Sequence, residues 1–179
     1  MKPGEIIRVN QEIILTGITE EDLEVLVERI NDPTIYANTL KVPYPYGHSD
    51  GKHFIRHVLD FESVHGMQKD WAIRRDNTLI GGIGLLYEQG LQSHRSEIGY
   101  WLATPYRNQG IMTAVIRAFV EAVFAGTDLV RLDAHVFVDN PASGRVLEKA
   151  GFQREGLLKK AYLKDGVYRD AFLYATVRE

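Results

Sequence analysis

The sequence predicts an α/β fold, a mixed sheet flanked by helices. Three observations predict it. Apolar and polar residues alternate at period two in several segments, as strands require. Between them lie segments whose apolar residues recur at spacings of three and four, as amphipathic helices require. Pro, Gly, Asn and Asp punctuate the joins. With 179 residues, 45% of them apolar, the chain can bury a substantial core and fits a single domain over residues 1–179.

Taken in order, Glu12 to Gly17 reads as the first strand. Thr19 caps a helix whose first turn is acidic (Glu20, Glu21, Asp22) and whose buried face is Leu23, Leu26, Val27 and Ile30. Asp32-Pro33 breaks it, and a short helical turn spans Ile35 to Thr39. Lys41 to Gly47, with two prolines, is irregular. Ser49 caps a second helix running to about Val64. Strands at Asp70 to Arg75 and Leu79 to Tyr87 are joined by a turn at Asp76-Asn77, and Glu97 to Ala103 is the next. A helix from about Gln109 to Phe124 is apolar except for the stripe Thr113, Arg117 and Glu121, so it should lie buried against the sheet. A strand at Arg131 to Val138 leads to a helix at Pro141 to Ala150, with Gly151 just past its end. A final hairpin pairs Gln153 to Lys164 with Tyr168 to Val177 through an Asp165-Gly166 turn.

The residues from Glu97 to Phe124 carry the chemistry. Glu97, Gly99 and Trp101 face one way and Ile98, Tyr100 and Leu102 the other, until Pro105 ends the strand. Arg107, Asn108, Gln109 and Gly110 then form a tight turn running into a helix N-terminus. Free amides there, beside a cationic Arg107 and a glycine that lets a ligand approach, suit a phosphate or pyrophosphate. A nucleotide-containing ligand is the expectation.

Composition removes other classes. The net charge of −3 and the absence of any long Lys/Arg block argue against a general nucleic-acid binder. MKPGEIIRVNQE is not an apolar leader, and Arg117 and Glu121 interrupt the most apolar helix, so a cytoplasmic protein without a membrane span is expected. The lack of cysteine excludes disulfides, thiolate metal sites and a cysteinyl intermediate. His53 and His57, a helical turn apart, lack both a third ligand and the zinc-protease glutamate, so no metal is expected. The glycines of LIGGIG lie inside a strand and open no helix, which points to close strand packing or a bulge.

Three pieces together resemble the GNAT superfamily of acetyl-CoA-dependent N-acetyltransferases, over essentially the whole chain. They are the EIGYWL strand feeding Arg107-x-x-Gly110-x-Met112, the segment Asn140-Pro-Ala-Ser143 followed by VLEKAGF, and the terminal hairpin LKDGVYRDAFLYA. The likeness is greatest to the RimJ/RimL branch, which acetylates N-termini of ribosomal proteins. It implies a mostly antiparallel twisted sheet flanked by helices, and acetyl-CoA as donor. It also implies direct attack of an amine in a ternary complex. The cofactor residues implied are Arg107, Asn108, Gln109, Gly110, Ile111, Met112 and Thr113 for the pyrophosphate, strand groups of Leu102 and Ala103 for the pantetheine arm, and Asn140 with Ser143. Met112 stands where the family signature prefers Gly or Ala. Its N–H survives the change, provided its side chain turns to the core. Glu148 sits near where other branches place a tyrosine acid, so that role must lie elsewhere.

The resemblance makes Glu97 the first candidate base. A carboxyl with a pKa of ~4 is a weak base for an amine of ~8–10, so a water relay or a raised value is needed. Ser143 and Tyr162 are candidate donors to the leaving thiolate; the plain alternatives are a local helix-turn contact and a core tyrosine. His135 alternates with Asp133 and Phe137 on one strand face; reaching the active site is one reading and sheet-surface packing the ordinary one. In this fold the region between the first two helices, with Tyr44, Tyr46 and His48, borders the acceptor, and Trp71 and Tyr100 add aromatic walls; filling the core beneath a proline-rich loop is the plain alternative. A protein N-terminal α-amine is the first acceptor, a small-molecule amine such as a polyamine or amino sugar the second. A noncatalytic acyl-CoA-binding module is the rival from another class. A homodimer is the ordinary prior for assembly.

Overall fold

The computed structural model describes residues 1–87 and 93–179. Its strands are β1 (Ile7–Arg8), β2 (Ile13–Thr16), β3 (Asp70–Arg75), β4 (Thr78–Leu86), β5 (Arg95–Leu102), β6 (Arg131–Phe137), β7 (Gln153–Lys164) and β8 (Val167–Val177). Its helices are α1 (Leu23–Ile30), α2 (Pro33–Asn38), α3 (His48–His65), α4 (Ile111–Gly126) and α5 (Pro141–Lys149). One eight-stranded sheet has the order β1-β2-β3-β4-β5-β6-β8-β7. Neighbours are antiparallel except β5 and β6, which run parallel because α4 carries the chain across between them.

Several boundaries differ from the sequence reading, for local reasons. β1 was too short to show a period. Asp32 does more than stop α1: its carboxylate accepts from Thr34 N–H and, with Pro33 in the first turn, starts α2. Gly47 rather than Ser49 is the N-cap of α3, its N–H donating to Asp50 at 2.8 Å. A turn of 3-10 helix over Glu20–Asp22 precedes α1, and there Asp22 reaches back to accept from Thr19 N–H at 2.8 Å.

Two cores lie on opposite faces of the sheet. On one, Val115, Ile116, Phe119 and Val123 of α4 and Leu147 of α5 pack on Ile73, Ile83, Ile98, Leu132 and Ala134. On the other, Leu26, Val27 and Ile30 of α1 with Ile55 and Val58 of α3 cover Ala72 and Leu79. Gly51 lets α3 approach α1, since a Cβ there would stand 2.7 Å from Leu23 Cδ1. The β4 glycines serve close approach as the sequence implied. A Cβ at Gly81 would meet the Trp101 carbonyl at 2.5 Å, and one at Gly82 the Trp101 indole at 2.7 Å. No helix among the described residues is long and apolar enough to cross a membrane.

Candidate active site

The site begins where the parallel pair comes apart. β5 and β6 pair only over Arg95–Glu97 and Arg131–Asp133, although β5 continues to Leu102 and β6 to Phe137. Ala103 N–H bonds to Ile80 O across the other edge at 2.9 Å, which fixes the alternation along β5. Trp101 and Gly99 therefore turn their backbone groups to β4, while Tyr100 and Leu102 turn theirs into the gap facing β6. The expected strand edge is there for Leu102. Ala103, whose carbonyl also accepts from Tyr106 N–H, has both backbone groups engaged.

At the end of β5 the chain turns through Asn108 (φ 61°) and Gly110 (φ 75°) into α4, which has no side-chain cap. The first helical bond is Ala114 N–H to Gly110 O, and none of the described residues accepts from the amides of Asn108, Gln109, Gly110, Ile111, Met112 or Thr113. A Cβ at Gly110 would meet nothing within 4 Å, so the space beside that glycine is open. Unanswered amides at the positive end of a sixteen-residue helix, with a glycine that lets a ligand approach, suit an anionic group such as a diphosphate. Met112 turns its side chain into the core, at 7% exposure, and leaves its N–H to the cradle.

Arg107 behaves differently from the sequence expectation of a direct phosphate contact. Its Nε donates to Leu102 O at 2.9 Å, Nη1 to Thr34 Oγ1 at 2.7 Å, and Nη2 lies 3.6 Å from Asp32 Oδ2. Burial works to raise the Asp32 pKa, but hydrogen bonds from Thr104 and Thr34 and the Arg107 charge outweigh it and hold the carboxyl at about 2. Arg107 thus pins the turn to α2. Gln109 is likewise engaged, donating to Pro105 O at 3.0 Å and accepting from Arg75 at 3.3 Å.

Side chains with proton chemistry flank the gap from both faces. On the α4–α5 face, Tyr100 Oη and Ser143 Oγ share a hydrogen bond of 2.7 Å. Asn140 Oδ1 caps α5 by accepting from Ser143 N–H at 3.3 Å. Burial pushes the Tyr100 phenol above the ordinary tyrosine range. Glu148 accepts from Tyr174 at 3.3 Å, and Gly144 makes room for that phenol, since a Cβ there would lie 2.6 Å from Tyr174 Oη.

On the opposite face, Glu97, His135 and Tyr162 meet. His135 Nδ1 lies 3.0 Å from Glu97 Oε2 and 2.8 Å from Tyr162 Oη. Tyr162 reaches over β8 from β7, crossing at the small residue Ala171, and also packs edge-on to Phe137. His135 is the residue the sequence underweighted. Its alternation with Asp133 and Phe137 gave it a face, but only the β5–β6 register sets that face beside Glu97.

The acceptor-side aromatics divide. Tyr44, half exposed and joined to Pro45 by a cis peptide, lies 5.9 Å from the Tyr36 ring. Tyr36 Oη donates to Asp165 Oδ2 at 2.6 Å, and Lys164 Nζ stands 3.7 Å from the Tyr36 ring centroid, so α2 touches the β7–β8 turn. Tyr46 is buried in the α1–α3 core instead, and Trp71 is fully buried edge-on to Phe119 at 5.1 Å. Both are core residues, because an aromatic that fills a core and one that lines a pocket look alike in sequence. Tyr100 faces Ser143. His53 and His57 lie exposed on α3.

Comparison with known proteins agrees with this geometry. The acetyltransferase (GNAT) domain model matches residues 12–153. L-amino acid N-acetyltransferase AaaT of Escherichia coli is 27% identical over 168 residues, covering 93% of this chain and 99% of the relative. Uncharacterized N-acetyltransferase YoaA of Bacillus subtilis is 39% identical over 174 residues, 93% of each chain. The ribosomal-protein-serine acetyltransferase of E. coli is 28% identical, covering 97% of each. A solved structure of RimL, a ribosomal L7/L12 α-N-protein acetyltransferase in complex with coenzyme A, shares the fold at a TM-score of 0.84 and 24% identity, covering 97% of this chain and 98% of that one. With the family model spanning most of its length and the parted strands and uncapped helix in place, the chain belongs to the GNAT family of acetyltransferases.

Proposed function

We propose that this acetyltransferase moves acetyl from acetyl-CoA to a primary α-amine by direct attack in a ternary complex. The observation that carries the reading is the open edge of β5, which ends at six unanswered amides and is flanked by proton-handling side chains on both faces. Acetyl-CoA, when bound, supplies a thioester carbon that an amine attacks. The amides of Asn108 to Thr113 hold its pyrophosphate, and Leu102 N–H and the Asn140 amide take the pantetheine arm. Arg107 contributes by fixing the turn. Glu97, with the groups around it, takes the proton that the amine gives up. Ser143 Oγ, backed by Tyr100, gives one to the departing sulfur. Tyr100 itself stays protonated at neutral pH, since burial raises its pKa.

The acceptor reading rests on the relatives. AaaT is named for L-amino acids and the ribosomal-protein-serine enzyme for a protein serine. A protein N-terminus is the first acceptor we assign, and a small-molecule amine the second. The test is CoA–thiol release across peptides with free N-termini, amino acids, polyamines and amino sugars, with products identified by mass spectrometry. Turnover confined to α-amines is the expected result. Acetyl-CoA binding without turnover on any amine, indifferent to Glu97→Gln and Ser143→Ala, would mark a binding module instead.

Gly110→Asp should cut acetyl-CoA affinity at least tenfold by calorimetry, about 1.4 kcal/mol. It sets a carboxylate in an anion cradle and a side chain at φ 75°. Unchanged affinity in a folded variant would move the phosphate site elsewhere.

A further inference from the structure

His135 sits at the fork of the sheet. The last paired residues of β5 and β6 are Glu97 and Asp133, and His135 is the next residue on that face of β6. A single ring nitrogen, Nδ1, lies within hydrogen-bond distance of a carboxylate oxygen from β5 and a phenol oxygen from β7. That nitrogen either carries a hydrogen or offers a lone pair, never both. Carrying one, it donates to Glu97; bare, it accepts from Tyr162 and presents a lone pair to the carboxylate. Side chains from β5 and β7 therefore compete for one position on His135, and a proton moved at any of the three is felt by the others.

Among the described residues, the other charges on this face have partners of their own. On the same face, β6 carries Asp133 and Arg131, β5 carries Arg95 and Glu97, β7 carries Tyr162, Lys164 and the bulged Glu155, and β8 carries Arg169. Asp133 is matched by Arg131 at 2.6 Å and Arg95 at 3.4 Å. Glu155 is matched by Arg131, and Arg169 by Asp139. Lys164 lies over the Tyr36 ring. Among the described residues, Glu97 places its carboxylate 3.0 Å from the imidazole.

We propose that His135 is the proton-relay residue of the transfer, coupling Tyr162 to Glu97 so that the three act as one base. As the amine nitrogen bonds to the acetyl carbon and the carbon–sulfur bond breaks, the amine's proton passes to Tyr162 Oη. The Tyr162 hydroxyl proton passes to His135 Nδ1, and Glu97 stabilises the resulting imidazolium. Ser143 supplies the proton that the sulfur takes up; the relay then releases its proton to water, and Ser143 recovers one. This division answers the weakness of a lone glutamate, because an unperturbed imidazole titrates near pH ~6.5, about two units closer to an amine than a carboxylate does.

The inference rests on the acetyl-transfer reading, yet it has a readout independent of turnover. Imidazole nitrogen NMR on the whole protein, without ligand, follows the titration of His135, with exposed His53 and His57 as internal references. In Glu97→Gln the His135 midpoint should fall by at least half a pH unit, and Tyr162→Phe should also move it, while His53 and His57 stay put. His135→Gln should lower kcat about a hundredfold, leave acetyl-CoA affinity unchanged, and remove the acidic limb from the kcat profile. A His135 midpoint indifferent to both Glu97→Gln and Tyr162→Phe overturns the coupling, whatever the acceptor. Full activity with an unaltered pH profile in His135→Gln overturns the relay while leaving the acetyltransferase reading intact. Retained acetyl-CoA affinity shows that the variant is folded.

Discussion

Tyr100 and Ser143 approach each other from β5 and α5, forty-three positions apart in sequence, and close to a 2.7 Å hydrogen bond. Removing either hydroxyl strands the other, so each single change should cost about 1–3 kcal/mol and the double change less than the sum. A urea double-mutant cycle on Tyr100→Phe and Ser143→Ala should return a coupling of about 1 kcal/mol; none at all would mean that the bond does not form in solution. At this scale the sequence was informative where the backbone sets the role. The left-handed turn at Gly110 could be read because its backbone conformation is local. It was uninformative where the partner lies far along the chain. Trp71 and Tyr46 proved to be core, Arg107 turned from phosphate to Asp32 and Thr34, and His135 gained partners on two other strands.

Helix α2 is a single short element with two jobs. Asp32 starts it by accepting from Thr34 N–H, and the same carboxylate takes a hydrogen bond from Thr104 and faces Arg107, so the turn before α4 and α2 share one anchor. The sign of its pH dependence follows from a folded pKa of about 2 against an ordinary carboxyl value near ~4. The contribution of Asp32 is complete above pH ~4 and disappears as the pH falls toward 2. The melting temperature of the wild type should drop across that interval more steeply than that of Asp32→Asn. The variant should already be weakened at pH 7; parallel acid limbs would show that the anchor is not formed. The sequence marked Asp32-Pro33 as a break. It could not show that the break is also a cap and a clamp, because Thr104 and Arg107 arrive from beyond β5.

Across the whole molecule, the turn before α4 and the hairpin that carries Tyr162 are joined through α2, by way of Arg107 to Thr34 at one end and Tyr36 to Asp165 at the other. Tyr36→Phe should speed hydrogen exchange in α2 and in the turn at Asp165 and Gly166, leaving exchange in α4 and the urea midpoint as they were. Uniform exchange changes would mean that this contact supports the global fold rather than the local bridge. The sequence by itself determined the elements other than β1, the mixed sheet, the apolar α4 and the tight turn before it. Each depends on periodicity, caps and glycine conformations confined to a few neighbouring residues. The tertiary structure alone decided which side chains meet across strands and which aromatics are core. It also decided that the parallel strands part after Glu97 and Asp133. Those outcomes depend on strand register and crossover, which bring residues far apart in the chain to within 3 Å, and no local pattern records a distance of that kind.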